Sequence, residues 1–274
     1  MNMKSAALML CLAGAALPLS ACAPVTRVAA IDQDALRRAA AAPTRTAANI
    51  ARDAYRHPVE TLSFLGVEPD DTVVEIWPGG GWYTEILAPY LAQRGGTYVA
   101  AAPERNLTGV RKLITAQPAA YASVRTANFP ILAAGGTAVA PGSADVVLTF
   151  RNVHNWMMGK EPFAAQAFAQ MYAMLKPGGT LGVVEHRLPE SAADARQLSS
   201  GYVKVSTVRS LAEAAGFRLV AASEVNANPR DTTDYPDGVW TLPPNYRLGD
   251  KDRARYAAIG ESDRMTLKFV KPAR

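Results

Sequence analysis

From residue 50 onward the apolar positions switch repeatedly between helical and strand spacing, which predicts a chain of alternating helices and strands. Residues 50–65 have helical spacing, interrupted at Pro58 and closed by Gly66. Thr72–Ile76 is a β-branched run entered through Pro69, Asp70 and Asp71. Residues 82–93 place Ile86, Leu87, Tyr90 and Leu91 at helical intervals and stop at Gly95 and Gly96. Thr97–Ala101 predicts a second strand and residues 123–127 a third. Residues 145–150 form a mainly apolar run, as in a strand buried on both faces. Residues 162–175 predict a helix that begins with Pro162 and carries an apolar stripe through Ala164, Ala167, Phe168, Met171, Met174 and Leu175. The turn Lys176-Pro177-Gly178-Gly179 leads to a strand over 180–184, then a helix over 208–215 and strands over 217–222 and 265–270. Such alternation implies an α/β fold with a mostly parallel sheet covered on both faces. Ligands of such sheets bind at the carboxyl ends of the strands.

The N-terminal 48 residues depart from this pattern. Lys4 precedes an apolar stretch over 6–19 that is too short to span a bilayer as a stable helix. It ends in Leu19-Ser20-Ala21-Cys22, which resembles a bacterial lipobox, where small residues ahead of a cysteine allow its thiol to be diacylated before cleavage. An ordinary secretory cleavage nearby is the alternative. Residues 1–21 are thus expected to be a signal peptide and 22–48 a tether, rich in Ala, Thr and Arg, with one short helix over 34–41. Residues 49–274 are expected to form the folded domain. Cys11 would be discarded and Cys22 would remain as the only cysteine, so the mature chain could form neither an intrachain disulfide nor a cysteine metal site. The expected location is the cell envelope, with the chain anchored in a membrane through acyl groups on Cys22.

Composition narrows the function classes. Hydrophobic residues make up 49% and charged residues 19%, which suits a sizeable core and excludes a disordered chain. The net charge of +5 comes from scattered lysines and arginines with no basic run, so nucleic acid is a disfavoured partner. There is no H-x-x-x-H, no H-E-x-x-H and no carboxylate cluster in sequence, so no metal is expected.

The candidate chemistry begins at Glu75-Ile76-Trp77-Pro78-Gly79-Gly80-Gly81-Trp82-Tyr83-Thr84. Glycines between a strand and a helix let backbone N–H groups approach a ligand, although a plain tight turn would also use them. The order of acid, G-x-G and hydroxyl resembles motif I of class I S-adenosylmethionine-dependent methyltransferases. A dinucleotide fingerprint would place a third glycine at Thr84. The resemblance continues through Ser143-Ala144-Asp145-Val146-Val147-Leu148, Leu175-Lys176-Pro177-Gly178-Gly179-Thr180-Leu181 and Ala215-Gly216-Phe217. Arg56-His57-Pro58, Glu60-Thr61 and Ser262-Asp263-Arg264 also resemble a family of exported methyltransferase-like proteins.

That resemblance implies a Rossmann-like, mostly parallel seven-stranded sheet and S-adenosylmethionine as cofactor. Glu75, Gly79 and Gly81 would hold its methionyl end and Asn128 with Phe129 its adenine, against a turn asparagine beside a core phenylalanine, with Trp77 and Arg151 completing the cofactor-binding set. Two positions depart from the family. Trp77 stands where a glycine is usual, and Pro78 biases it toward an extended backbone, with the indole stacking on the cofactor or filling its place. Ala102 stands where an acid usually holds the ribose, and Glu104 comes two residues late. His154, after the fourth strand, is the leading candidate base, against a hydrogen-bonded loop histidine. His186 is the second candidate, although its neighbours Glu185 and Arg187 could simply pair. His57, before Pro58, is expected to border the site. The long connection over 226–261 either covers the pocket or forms a solvated loop.

The implied function is methyl transfer to an unknown small-molecule or envelope acceptor. The alternative is a non-catalytic descendant of the fold that binds a small molecule or an envelope partner, which export away from cytoplasmic S-adenosylmethionine favours. The anchor can be tested first. Cys22→Ser expressed in a bacterium should shift the protein from the membrane to the soluble fraction or leave an uncleaved precursor. Unchanged fractionation and mass would rule the lipid out.

Overall fold

The structure, a computed structural model, describes residues 33–131 and 138–273; Cys22 and the lipobox lie outside the described residues. Four helices come first: α1 (Gln33–Ala40), α2 (Ala47–Ile50), α3 (Asp53–Arg56) and α4 (Pro58–Leu65). Then follow β1 (Thr72–Ile76), α5 (Thr84–Ala92), β2 (Thr97–Ala101), α6 (Thr108–Ala116), β3 (Arg125–Ala127) and β4 (Ala144–Phe150). Next come α7 (Val153–Met157), α8 (Ala164–Met174), β5 (Leu175–Leu188), β6 (Val203–Lys204) and α9 (Val205–Ala214). The chain closes with β7 (Arg218–Ser223), α10 (Arg253–Ile259) and β8 (Arg264–Val270).

The sheet order is β3-β2-β1-β4-β5-β8-β7, with β8 antiparallel to both of its neighbours and the remaining pairs parallel. This path contains the expected seven strands. The two-residue β6 is an addition, lying parallel to the end of β5. Alternate side chains of each central strand feed opposite cores, as the pleat requires. Val73, Val146 and Leu148 join Leu62, Ile86 and Leu87 on one face. Val74, Val147, Leu181 and Val183 join Phe168, Met171 and Val208 on the other.

Proline and left-handed residues set the N-terminal breaks. Pro58 opens α4, where its missing N–H costs no helical bond, and His57 before it turns the chain at φ 41°. Gly66, at φ 80°, closes the same helix. The short helix expected within the tether is present as α1, and it is packed on the domain. Ala35, Leu36 and Ala39 are buried in the same core as α4 and α5, while Arg37 and Arg38 face outward. The folded part therefore reaches at least to Gln33. Helix α6 was not expected from the pattern, because only Val110 of its residues is fully buried.

The connection over 226–261 is folded. It carries a one-turn 3-10 helix at Gly238–Thr241 and α10, around a third core of Leu188, Tyr202, Tyr235, Val239, Leu242 and Tyr256. Asp231 pins it by accepting bonds from the Tyr202 hydroxyl (3.0 Å) and the Asp263 N–H (2.7 Å). At its end Glu261 joins distant parts of the chain. One oxygen accepts from Arg52 Nε (2.6 Å), the other from Arg56 Nε (3.2 Å) and Arg264 Nη1 (3.1 Å). Burial alone would raise the Glu261 carboxyl, but Arg56, Arg264 and Arg52 hold it down at about 2.

Two stability measurements follow. Leu36→Ala should cost about 2–5 kcal/mol in urea unfolding if α1 belongs to the core, and almost nothing if it is a loose tether. Glu261→Gln should cost on the order of 3–5 kcal/mol at pH 7, because buried guanidinium groups lose their counter-charge. Because the folded-state value lies below the ordinary 4.5, this stabilisation is present above pH 4.5 and fades toward about 2. The variant and the natural chain should converge over that window.

Candidate functional site

At the carboxyl ends of β1, β4 and β5 lies a cavity of about 290 Å³. Its walls are the glycine turn after β1, the segment after β4, His186 on β5, and Asn49, Arg52 and Arg56 from the N-terminal helices. Trp240, Pro243, Pro244 and Asn245 of the 226–261 connection close it from above. A second cavity, about 370 Å³, borders Asn106, Thr108, Gly109 and Lys112 at the start of α6. Trp77, Gly79, Gly80 and Asn152 line both, so the two cavities meet over the glycine turn.

The turn differs from expectation at Trp77. Pro78 was expected to hold it extended, yet its φ is 52°, in the left-handed region. Such a conformation costs roughly 1–3 kcal/mol in a non-glycine residue. Three contacts oppose that cost. The Trp77 N–H donates to the Ala101 carbonyl (2.9 Å), extending the β1–β2 pairing by one residue. Its indole Nε1 donates to the Phe129 carbonyl (3.1 Å), and the ring packs edge-on against Trp156 at 6.1 Å. The indole thus reaches the loop after β3, where the resemblance places adenine.

The glycines divide into two kinds. A Cβ on Gly79 or Gly80 would meet nothing within 4 Å, so both leave open space beside the cavities. A Cβ on Gly81 would come within 2.5 Å of Leu113 Cδ1. Gly81, at φ 84°, holds a left-handed backbone that favours glycine and packs against Leu113 of α6, and it lines neither cavity. Thr84, the hydroxyl of the motif, pairs with the Tyr98 hydroxyl (2.7 Å), which in turn donates to Glu75 (2.6 Å). Burial pushes the Glu75 carboxyl up to about 7. Asn152 Nδ2 ties the turn to β4 by donating to the Ile76 carbonyl (2.9 Å) and the Thr149 hydroxyl (3.2 Å).

Asn128 and Phe129 line neither cavity. Phe129 is fully buried, with its ring 5.9 Å from that of Trp156, so its aromatic face serves the core. Ala102 is fully buried as well, and Glu104 is spent on a surface pair with Arg111 at 2.8 Å. The polar groups on the second cavity are instead Asn106, Thr108 and Lys112.

The two candidate histidines meet at one carboxylate. Glu185 accepts from the His154 N–H (3.2 Å), from His154 Nδ1 (3.0 Å) and from the His186 N–H (2.8 Å). A carboxylate only accepts, so this geometry puts the His154 proton on Nδ1 and leaves Nε2 as a lone-pair acceptor. Among the described residues no group bonds to that Nε2, and His154 lines the cavity. His186 Nδ1 shares a hydrogen bond with Ser262 Oγ (2.5 Å), and the two imidazoles lie 5.3 Å apart. Burial, then the neighbouring His154 and Arg151, push His186 well below its ordinary value, so it is neutral at pH 7. Glu185 does not pair with Arg187, whose guanidinium is bound to Asp263 at 2.8 and 2.9 Å and to Glu224 at 2.8 Å.

His154, Glu185 and His186 bring candidate ligand atoms within 4.8 Å of one another, a metal-like set that sequence spacing had not indicated. Its surroundings oppose a dication. Both Glu185 oxygens already accept N–H groups, and Arg56, Arg151 and Arg264 make the electrostatic environment of His186 positive. Arg151 itself sits at φ 62° and donates its N–H to the Val184 carbonyl (2.7 Å). His57 lines neither cavity and acts as the hinge before α4.

Sequence reasoning missed Arg52 and the role of Glu261, and it named Arg56 without a role; Trp240, in the connection expected either to cover the pocket or to form a solvated loop, does line the cavity. Arg56 and its partner Glu261 are 205 residues apart, and no local pattern links them.

No protein-family model matches the chain, and no curated protein sequence matches it either. Solved structures do. A SAM-dependent methyltransferase from Aquifex aeolicus aligns over 88% of this chain and 99% of its own, at TM-score 0.54 and 13% identity. The cyclase SpnF aligns over 81% and 82%, at TM-score 0.58 and 13% identity. The Haemonchus contortus phosphoethanolamine N-methyltransferase 2, solved with S-adenosyl-L-methionine, aligns over 80% of this chain and 53% of its own, at TM-score 0.53 and 16% identity. With the strand order and the glycine turn after β1, these likenesses establish that the chain has the class I methyltransferase fold.

Proposed function

We propose that the protein is an S-adenosylmethionine-dependent methyltransferase of the cell envelope, held there by lipid on Cys22. The observation that carries the enzymatic part is the pair of cavities that share Gly79 and Gly80 as lining, with His154 on the wall of the first and Glu185 behind it. A ligand with an amino-acid end and a nucleoside end suits that shape. Arg52 Nη2 and Arg56 Nη2 are buried without hydrogen-bond partners and suit a carboxylate. Glu75 lies on the same wall and suits an ammonium group. Asn106, Thr108 and Lys112 suit ribose hydroxyls in the second cavity.

The bound cofactor would supply an electrophilic methyl group on a sulfonium. The chain positions the acceptor and removes its proton. His154 Nε2 takes that proton, and Glu185 stabilises the resulting imidazolium through Nδ1. Trp240, Pro243 and Pro244 exclude water above the site, which strengthens these charge interactions.

One observation favours the second reading, a non-catalytic binding protein. The Trp77 indole lies beside the Phe129 carbonyl, and Ala102 offers no partner to a ribose. Fold by itself does not decide between the two readings.

Thermal melting with S-adenosylhomocysteine decides between them. At 100 times its dissociation constant a ligand stabilises a fold by about 2.7 kcal/mol, a readily measured shift. The natural chain should show it. Gly80→Val should melt normally without ligand, since its side chain meets open space and Gly80 has no positive φ, yet lose the shift. The absence of any shift in the natural chain at millimolar ligand defeats the enzymatic reading. With an acceptor in hand, His154→Ala should lower turnover about 10²–10⁴-fold while leaving cofactor affinity unchanged.

A further inference from the structure

The charges around the first cavity do not balance. Glu261 is one carboxylate shared by three guanidinium groups, those of Arg52, Arg56 and Arg264. Arg151, on the cavity wall, adds a fourth, and among the described residues its guanidinium donates no hydrogen bond. Glu185, fully buried behind His154 and His186, is occupied by the two histidines. Glu75, whose carboxyl burial pushes up to about 7, accepts from Tyr98, while His186 is kept uncharged by burial and by its cationic neighbours. Arg56 is buried to 2% exposure, and its Nη2 has no partner. Burial, together with Arg151, lowers its value to about 9, and burial lowers that of Arg151 to about 10.

Positive charge left over in a water-poor site is costly unless a ligand compensates it. S-adenosylmethionine does not. Its carboxylate is outweighed by its ammonium and sulfonium groups, so it brings net positive charge. The compensating charge has to come from the other ligand.

We infer that the acceptor is a small oxyanion, a carboxylate or a phosphate, whose charged group is held by Arg151 on the His154 and His186 side of the cavity. This rests on the methyltransferase reading for the word acceptor, while the oxyanion site itself stands on the arginines. A guanidinium presents parallel N–H donors that match two oxygens of a carboxylate or phosphate, which gives orientation as well as charge. The nucleophilic atom of such a molecule then lies toward His154 Nε2. The cavity of about 290 Å³ is at the small end of ligand sites, so the anion is small. Arg151 thereby passes from the cofactor-binding role first assigned to it to an acceptor-binding one.

The test is calorimetric titration of the full chain, without cofactor, in a phosphate-free buffer of low ionic strength. Inorganic phosphate and malonate serve as probes, and glycerol as the neutral control. At least one anion should bind in the low millimolar range or tighter, and glycerol should not bind. Which anion binds more tightly separates a phosphorylated acceptor from a carboxylic one. Arg151→Gln should weaken the anion by about tenfold or more while leaving S-adenosylhomocysteine affinity unchanged. Arg151→Lys should retain part of the binding. If neither anion binds the natural chain, or if Arg151→Gln binds both as the natural chain does, the inference is overturned. Should Arg151→Gln fail to fold, the titration of the natural chain decides alone. Anion binding without any response to S-adenosylhomocysteine would instead overturn the methyltransferase reading and leave the oxyanion site in place.

Discussion

Glu261 gathers Arg52, Arg56 and Arg264 onto one buried carboxylate, and the functional end of the molecule is arranged around that cluster. The cluster joins the segment before β1 to the start of β8, the last strand in the chain, and so draws two distant segments over the same strand ends. Without it, the first cavity would lose the wall that Arg52 and Arg56 provide. The cluster also accounts for the electrostatics. One carboxylate among three guanidinium groups is driven far toward its ionised form, and the groups it cannot satisfy remain as N–H donors without partners. A buried ion cluster is a poor source of net stability, because desolvation opposes its attraction. Its consequence here is a cavity that is positively charged before any ligand arrives.

The glycine turn shows how one motif can serve packing and binding at once. Gly81 is favoured by its left-handed backbone and packs on Leu113, and Gly109 is required by its approach to the Gly79 carbonyl, so both glycines serve the packing of α6 on the turn. Gly79 and Gly80 stand free of any neighbour and leave room where the two cavities meet. Trp77 is the unusual member. Its left-handed backbone is held by pairing to β2 and by an indole that bonds the loop after β3. The same contacts that secure the turn bring a large ring to the place where an adenine is expected in this fold. Whatever occupies the second cavity therefore meets the face of Trp77 and the polar groups of α6.

The histidines owe their chemistry to their neighbours. Glu185 orients His154 through both the backbone N–H and Nδ1, which frees Nε2 for the cavity. His186 is fixed by Ser262 and kept neutral by burial and cationic surroundings.

The sequence alone determined the succession of helices and strands and the layers they form. Val73, Val74, Val146 and Val147 alternate between two cores because a strand has a two-residue period, and the stripe from Ala164 to Met174 faces the sheet because a helix has a 3.6-residue period, whereas Leu175, expected to close that helix, opens β5. These are local regularities, and they can be read from spacing. Glycines and prolines were legible for the same reason at Pro58, Gly66 and Gly79. Three matters were decided only by the tertiary structure. Phe129 went into the core and not to a ligand, because Trp156 lay beside it. Trp77 left the extended backbone that Pro78 favours, because contacts to Ala101 and Phe129 outweighed a local preference. His154, Glu185 and His186 became one cluster because β4 and β5 are adjacent and end at the same level. Preferences of a few kcal/mol written into neighbouring residues are overridden when contacts between residues far apart in the chain sum to more, and the charged cavity is made entirely of such contacts.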